Sequence, residues 1–315
     1  MNYMEPKISL IVATYKNEST LPRCIQSLVD QKTDIPYEVI VVFDPSPDRT
    51  DDIAREFDAK YDFVHALEVH TRALGAAREQ GVAIAKGEYC QFIDGDDYVA
   101  PNMVQKMGET IMKTRADVVC CGVNYVRVNR IHKSNIVRNH AYDHYSAIKA
   151  LFYDYYIRGF MWNKMYRTEL LKNKGFELPR KTFMREDTYS NFRIFLLSNK
   201  VVTIKDHLYF YDKTTDSATN SLDKERVPWF YRLYGIERYL LDQHGDEKLI
   251  KMFRKLHYRR KIYIWADRVY MKKAYNKEEY KALKKDIKKY LKIVKQKEAI
   301  PVDGMPWEDF IKNVM

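Results

Sequence analysis

The sequence predicts an α/β fold, a mostly parallel sheet flanked by helices, with a helical region after it. Three observations carry that reading. Between residue 8 and about residue 125, short β-branched runs alternate with amphipathic segments, the pattern of consecutive strand–helix units. Two of the apolar runs stop on carboxylates, Asp44 and Asp94, at the strand ends where α/β sheets bind ligands. After Lys224 the composition turns to basic residues among helically spaced apolar ones, which places a boundary near residue 222.

Taken in order, Ile8 to Ala13 is a continuous apolar run, as a strand buried on both faces requires. Leu21, Ile25, Leu28 and Val29 recur at helical spacing behind the cap candidates Ser19 and Thr20, with Pro22 in the first turn, where its missing N–H is no loss. Tyr37 to Phe43 is the second strand, and a helix from about Asp51 to Tyr61 follows. A weaker strand near Val64 to Val69 precedes an alanine-rich helix from about Leu74 to Ala85, ended by Gly87. Tyr89 to Ile93 is a strand stopped by Asp94-Gly95-Asp96-Asp97, Pro101 opens another helix, and Asp117 to Val123 is one more strand. From about Tyr142 to Asn220 the pattern is less regular and rich in aromatics, which suits a substrate-facing region better than a second independent domain. Near the end, Tyr280 to Val294 places Leu283, Ile287, Leu291 and Val294 at helical spacing. The expected organisation is a catalytic domain over residues 1–222 and a basic helical region over 223–315.

Composition excludes several classes. The 315 residues are 46% hydrophobic, enough for a large core and incompatible with a disordered chain. No apolar run approaches the ~18 residues of a membrane-spanning helix. The start lacks the basic segment and cleavage site of a signal peptide, so residence in the cytoplasm is expected. Cys24, Cys90, Cys120 and Cys121 make no CxxC pair and no His/Cys cluster, and read as buried thiols rather than a zinc site or disulfides.

The net charge of +11 is uneven: residues 1–225 hold 31 basic and 31 acidic side chains, and residues 226–315 hold 23 and 12. Within the basic part, Lys251 to Lys273 mixes Arg254, Arg259 and Arg268 with Phe253, Tyr263 and Trp265, a composition suited to peripheral attachment at the anionic inner face of a membrane. The competing reading is a set of solvated helix faces whose apolar residues pack on the rest of the protein. No nucleic-acid partner is expected.

The most telling local feature is Asp94-Gly95-Asp96-Asp97, three carboxylates crowded on one turn at the end of an apolar strand. Such charges repel unless solvent or a cation compensates them, and a hard divalent ion with oxygen ligands could then hold a diphosphate. By itself an acidic turn is more often simply solvated; its position at a strand end shifts the balance. The loop Thr14-Tyr15-Lys16-Asn17-Glu18 contains no glycine, which excludes a P-loop and a dinucleotide fingerprint. It offers an aromatic ring, Tyr15, for a flat base, and Asp44 can accept a hydrogen bond from a ring N–H.

Together these segments resemble the family 2 glycosyltransferases of the GT-A fold. VATYKNES from Val12 is similar to the family's first-strand loop, and VVFDPSPDRT to its VDDGSxDxT, with Phe43 and Pro45 where the family usually has Asp and Gly. LGAAREQG, from Leu74 to Gly81, resembles PGAARNxG, and GEYCQFIDGDDYVAP resembles GEYIxFLDSDDxxxP. WNKMYRTELL from Trp162 looks like the acceptor-side WNKLYRRELL, and Arg185-Glu186-Asp187 falls where the family has its Glu-Asp pair. LYFYDKTTDSATNS resembles YxYRxRxxSxTxS, with Asp212 in place of the usual first Arg. The resemblance covers about residues 7–222.

The resemblance implies an inverting transfer of a hexose or N-acetylhexosamine from a UDP-sugar to a glycan hydroxyl in cell-surface polysaccharide synthesis, with a lipid-linked acceptor as one form. Tyr15, Asp44 and Arg78 would hold the uridine, and Asp94 the ribose or sugar side. Thr14, Glu18 and Gly95 would complete the nucleotide-sugar site. Asp96 would ligate Mn²⁺ or Mg²⁺, and Asp187 would be the catalytic base with Glu186 orienting the acceptor. The chemistry is consistent with this: a metal at the leaving UDP stabilises its charge, and a carboxylate must receive the proton of the attacking hydroxyl. Two alternatives stay open. A sugar-nucleotide pyrophosphorylase would need a Gly-rich basic first loop, which Val12 to Ser19 lacks. A non-catalytic binder of anionic membranes or nucleic acid would explain the charge but not carboxylates at successive strand ends.

Overall fold

The structure is a computed structural model. It describes residues 5–128, 130–134, 138–153, 157, 159–173, 186–213, 244–250, 276–282 and 285. The chain divides into two compact units, Met1–Leu178 with Arg193–Asp216, and Pro179–Phe192 with Ser217–Met315.

The first unit is built on a ten-stranded sheet. Its first half follows the sequence pattern: β1 (Ile8–Thr14), α1 (Leu21–Val29), β2 (Tyr37–Phe43), α2 (Thr50–Lys60), β3 (Val64–Glu68), α3 (Leu74–Ile84) and β4 (Tyr89–Asp94). These four strands pair in parallel in the order β3-β2-β1-β4. Every residue of β1 is buried, because helices cover both faces of the sheet. α1 presents Leu21, Cys24, Ile25 and Leu28 to that core. α3 approaches more closely, and Gly81 is the reason: a Cβ there would sit 2.5 Å from Cγ2 of Ile11.

The second half is mixed. After β5 (Tyr98–Val99) and α4 (Met103–Thr114) come β6 (Val118–Arg127), β7 (Arg130–Lys133), β8 (His140–Tyr142) and α5 (His144–Tyr153). Then follow β9 (Lys164–Arg167), α6 (Thr168–Lys172), α7 (Glu186–Leu197) and β10 (Val201–Asp212). The sheet continues from β4 through β9, β6 and β10 to β5, with β7 on β6 and β8 on β10. β9 is antiparallel to both β4 and β6, whereas β6 and β10 are parallel.

Several expectations shift by a residue or more. The irregular middle contributes β9 and β10 to the main sheet, and the four-residue β9 is too short to show a period in sequence. β6 runs past Val123 to Arg127 because β10 and β7 pair with its polar end. α4 starts at Met103, with the Met103 N–H on the Ala100 carbonyl, so Pro101 belongs to the preceding turn. Thr20 occupies the N-cap of α1 but makes no side-chain cap; its hydroxyl donates to the Gly95 carbonyl at 3.1 Å. All four cysteines are buried and free.

In the second unit, two helical starts are capped as their sequences dictate. Asp246 accepts the N–H groups of Lys248 and Leu249. Asn276 and Glu279 cap one another's backbone N–H at 2.9 and 3.0 Å, a reciprocal capping box. Lys251 to Lys273 and the apolar series Leu283, Ile287, Leu291 and Val294 lie outside the described residues. Among the described residues no helix is long and apolar enough to cross a membrane.

Candidate active site

The C-terminal ends of β1, β2 and β4 meet at the point where chain order reverses across β1, with Thr14 opposite Phe43 and Ala13 opposite Asp94. Loops that leave adjacent parallel strands in opposite directions open a crevice there. Two of these loops are laced together. Asn17 Oδ1 accepts the Thr14 hydroxyl at 2.9 Å and the Tyr15 N–H at 3.2 Å, and its own N–H donates to Thr50 Oγ1 at 2.8 Å. The Lys16 N–H reaches Ser46 Oγ at 3.1 Å, with Lys16 in the left-handed region at φ 56. Glu18 accepts the Arg49 N–H at 3.0 Å, and the Glu18 N–H donates to Asp48 at 3.2 Å. The result is a stiff rim from which the Tyr15 ring projects, half exposed.

Asp44, buried at the end of β2, accepts the Thr71 hydroxyl at 3.1 Å and the Arg72 N–H at 2.9 Å. It thereby ties the loop before α3, where Arg72 is also left-handed at φ 51, to the same crevice. A non-glycine residue in that conformation costs about 1 kcal/mol, and here it persists because fixed partners hold the loop. Arg78, on the inner face of α3, is almost fully buried, and its Nη2 donates to Asp94 Oδ1 at 2.7 Å.

The acidic turn is asymmetric. Asp97 is fully buried and turned inward: its oxygens accept the Tyr209 hydroxyl at 2.7 Å and the Asp212 N–H at 2.8 Å. Tyr209 Oη also accepts the Asp94 N–H at 3.1 Å, so β10 holds both ends of the turn. Asp94 and Asp96 are half-buried. Burial and the neighbouring charges of Asp94 and Asp212 push the Asp96 carboxyl up to about 6, with Arg23 opposing. Burial, then Asp94 and Asp96, hold Asp97 well above the usual carboxylate range. The same acids, after burial, raise the Cys24 thiol, so it is no nucleophile.

Those carboxylates can accommodate a divalent cation. One oxygen from each of Asp94, Asp96 and Asp97 lies within 4.8 Å of the others. Asp97 is already engaged by β10 and one Asp94 oxygen by Arg78, which leaves Asp96 as the candidate oxygen donor for a hard ion such as Mg²⁺ or Mn²⁺. Gly95 is required between Asp94 and Asp96, because a Cβ there would lie 2.6 Å from Thr14 Oγ1.

The structure therefore brings together Thr14, Tyr15, Glu18, Asp44, Arg78, Asp94, Gly95 and Asp96 around one crevice. Asp187 lies in the other unit, on the first turn of α7, half-buried, with its carbonyl accepting the Asn191 side-chain amide at 2.8 Å. The Glu186 side chain is outside the described residues. Reasoning from sequence missed Arg23 and Tyr209. Arg23 Nη2 donates to the Asp96 carbonyl at 3.0 Å and pairs with Asp212 at 2.8 Å, its guanidinium 4.5 Å from the centre of the Tyr98 ring. The signal was present: a carboxylate at position 212, where a cation is usual in the resembled motif, requires a compensating cation elsewhere.

Comparisons with known proteins agree with this geometry. Residues 9–191 match the family model for glycosyl transferase family 2. The chain is 32% identical over 250 residues to EpsH of Bacillus subtilis (strain 168), covering 76% of this chain and 70% of EpsH. It is 27% identical over 209 residues to the poly(ribitol-phosphate) beta-N-acetylglucosaminyltransferase TarS of Staphylococcus aureus (strain MW2), covering 65% of this chain and 35% of TarS. The crystal structure of S. aureus TarS 1-349 in complex with UDP-GlcNAc superposes with a TM-score of 0.65 at 21% identity, over 80% of this chain and 73% of that one, which shows a shared fold. A mixed sheet with an acidic turn at its switch point, a family match spanning more than half of the sequence and a relative above 30% identity converge: the chain belongs to glycosyl transferase family 2.

Proposed function

We propose that this protein is an inverting, metal-dependent glycosyltransferase that moves a hexose or N-acetylhexosamine from a UDP-sugar to a glycan hydroxyl in cell-surface polysaccharide synthesis. The observation that carries the reading is the convergence of Tyr15, Asp44 and the Arg78–Asp94 pair with the cation-ready Asp96 at one strand-end crevice. The fold shared with TarS, whose crystal structure holds UDP-GlcNAc, supports a UDP-sugar donor.

In this reading Tyr15 stacks on the base and Asp44 accepts from its ring N–H. Asp94, fixed by Arg78, takes the ribose or sugar side of the donor. A divalent ion held by Asp96 would neutralise the diphosphate and stabilise the leaving UDP. Asp187 receives the proton of the attacking hydroxyl, and one in-line displacement inverts the anomeric centre. We extend the proposal to the basic region over residues 223–315, assigned to acceptor handling at the inner face of the membrane.

The test is a donor panel. The protein is incubated with UDP-glucose, UDP-galactose, UDP-GlcNAc and UDP-GalNAc, with Mn²⁺, Mg²⁺ or EDTA, and released UDP is measured. UDP release from one donor above the others, abolished by EDTA, is expected. Equal background release from all four, or release unaffected by EDTA, would overturn the assignment.

A further inference from the structure

The β6–β7 hairpin carries a charge arrangement that folding alone does not explain. Its register places Arg127 directly opposite Arg130 and Tyr125 opposite His132. Side chains alternate between faces along a strand, so these four share one face. Like charges directly across a strand pair are destabilising. Both arginines are exposed, and neither has an ion-pair partner among the described residues. The sequence holds no acidic residue between Asp117 and Asp143, a stretch with four Lys or Arg.

That face is connected to the crevice by aromatic rings. Lys213 Nζ lies 5.0 Å from the centre of Tyr125 and 5.4 Å from that of Tyr211. Tyr211 stacks on Trp162 at 5.3 Å, and Trp162 stacks on Tyr209 at 4.4 Å. The Tyr209 hydroxyl is the one that binds Asp97 and receives the Asp94 N–H. One line of contacts thus runs from the acidic turn to Tyr125, which stands two residues from Arg127 on the same face of β6, all within the first unit.

We propose that this face is an acceptor subsite for an anionic glycan, one bearing phosphate or carboxylate groups; the inference rests on the glycosyltransferase reading above. Tyr125 and Tyr211, half-buried, pair across β6 and β10 on the same face as the arginines. Arg127 and Arg130 present planar forks that match phosphate or carboxylate oxygens, and an anion between them cancels their repulsion. An anionic lipid surface is the weaker fit. Ile131 is 56% exposed but pairs with Val126 on the opposite face from Arg127 and Arg130, and a headgroup contact has no use for a path of rings leading to Asp94.

The experiment uses the full chain and the double variant Arg127→Ser/Arg130→Ser. Binding is titrated with poly(glycerol phosphate), polygalacturonate, neutral dextran and phosphatidylglycerol vesicles, at low and high salt. UDP affinity with Mn²⁺ and the melting temperature are measured alongside. The unaltered protein should bind both anionic glycans in preference to dextran, more weakly at high salt. The variant should lose about tenfold in that affinity, with UDP affinity unchanged and a melting temperature no lower than that of the unaltered protein, because the facing charges are gone. Equal affinity of variant and unaltered protein for the anionic glycans would overturn the proposal. So would no preference over dextran, or an effect confined to the vesicles. If anionic glycans bind through the two arginines while UDP does not bind at all, the donor reading fails and the subsite stands.

Discussion

Arg23 and Asp212 form a 2.8 Å ion pair that joins α1 to the end of β10 directly beside the acidic turn. Asp212 is 3% exposed and Arg23 45%, so a buried carboxylate is matched by a cation that solvent still reaches. Removing Arg23 takes a cation away from a buried carboxylate whose charge also acts on Asp96. Arg23→Ala is expected to cost about 1–3 kcal/mol in urea unfolding. Adding Asp212→Asn should recover part of that loss, giving a coupling the two single variants do not predict. Strictly additive losses would show that the pair is not a unit.

The rim of the crevice should be acid-sensitive through Asp48. Although partial burial opposes it, hydrogen bonds from Ser46, Thr50 and the Glu18 N–H hold this carboxyl down to about 2. A depressed acid contributes stability that is present above its unfolded value near 4 and is lost as pH falls through the folded one. Asp48→Asn should therefore destabilise by about 1 kcal/mol at pH 7, a difference that shrinks between about pH 4 and pH 2. Melting curves across that range check it; a constant difference at all pH values would assign the effect to something other than the charge.

Asp96→Asn separates metal binding from folding. With the charge gone, repulsion from Asp94 and Asp212 is relieved, and the metal-free protein should melt no lower than the unaltered one. Calorimetry should at the same time show loss of the Mn²⁺-dependent part of UDP binding. Undiminished UDP affinity with Mn²⁺ in this variant would remove Asp96 as the ligand.

For Asp187, the expectation is a split between binding and turnover. Asp187→Asn should keep UDP affinity while transfer to a glycan acceptor falls by roughly a hundredfold or more. Near-normal transfer would leave Asp187 a residue of the first turn of α7 with no part in the chemistry.

Apart from the two-residue β5, the order of elements through β6 and the positions of the crevice residues were legible because both are local properties. Seven buried residues in a row make β1 a two-sided strand wherever it lies, and helical spacing places Leu21, Cys24 and Leu28 on one face of α1. Parallel strands joined by helices bring their C-terminal ends to one side, so Thr14, Asp44 and Asp94 were bound to meet. What the three acids do once they meet was decided only in three dimensions. Sequence makes Asp94, Asp96 and Asp97 look equivalent, yet Asp97 is consumed by Tyr209 and by the Asp212 N–H, 112 and 115 positions away, whereas Asp96 takes neither partner. The four-residue β9 and the facing arginines of the β6–β7 hairpin were hidden for the same reason: strand partners are set by pairing between distant segments, and no periodicity within a segment records which residue will stand opposite.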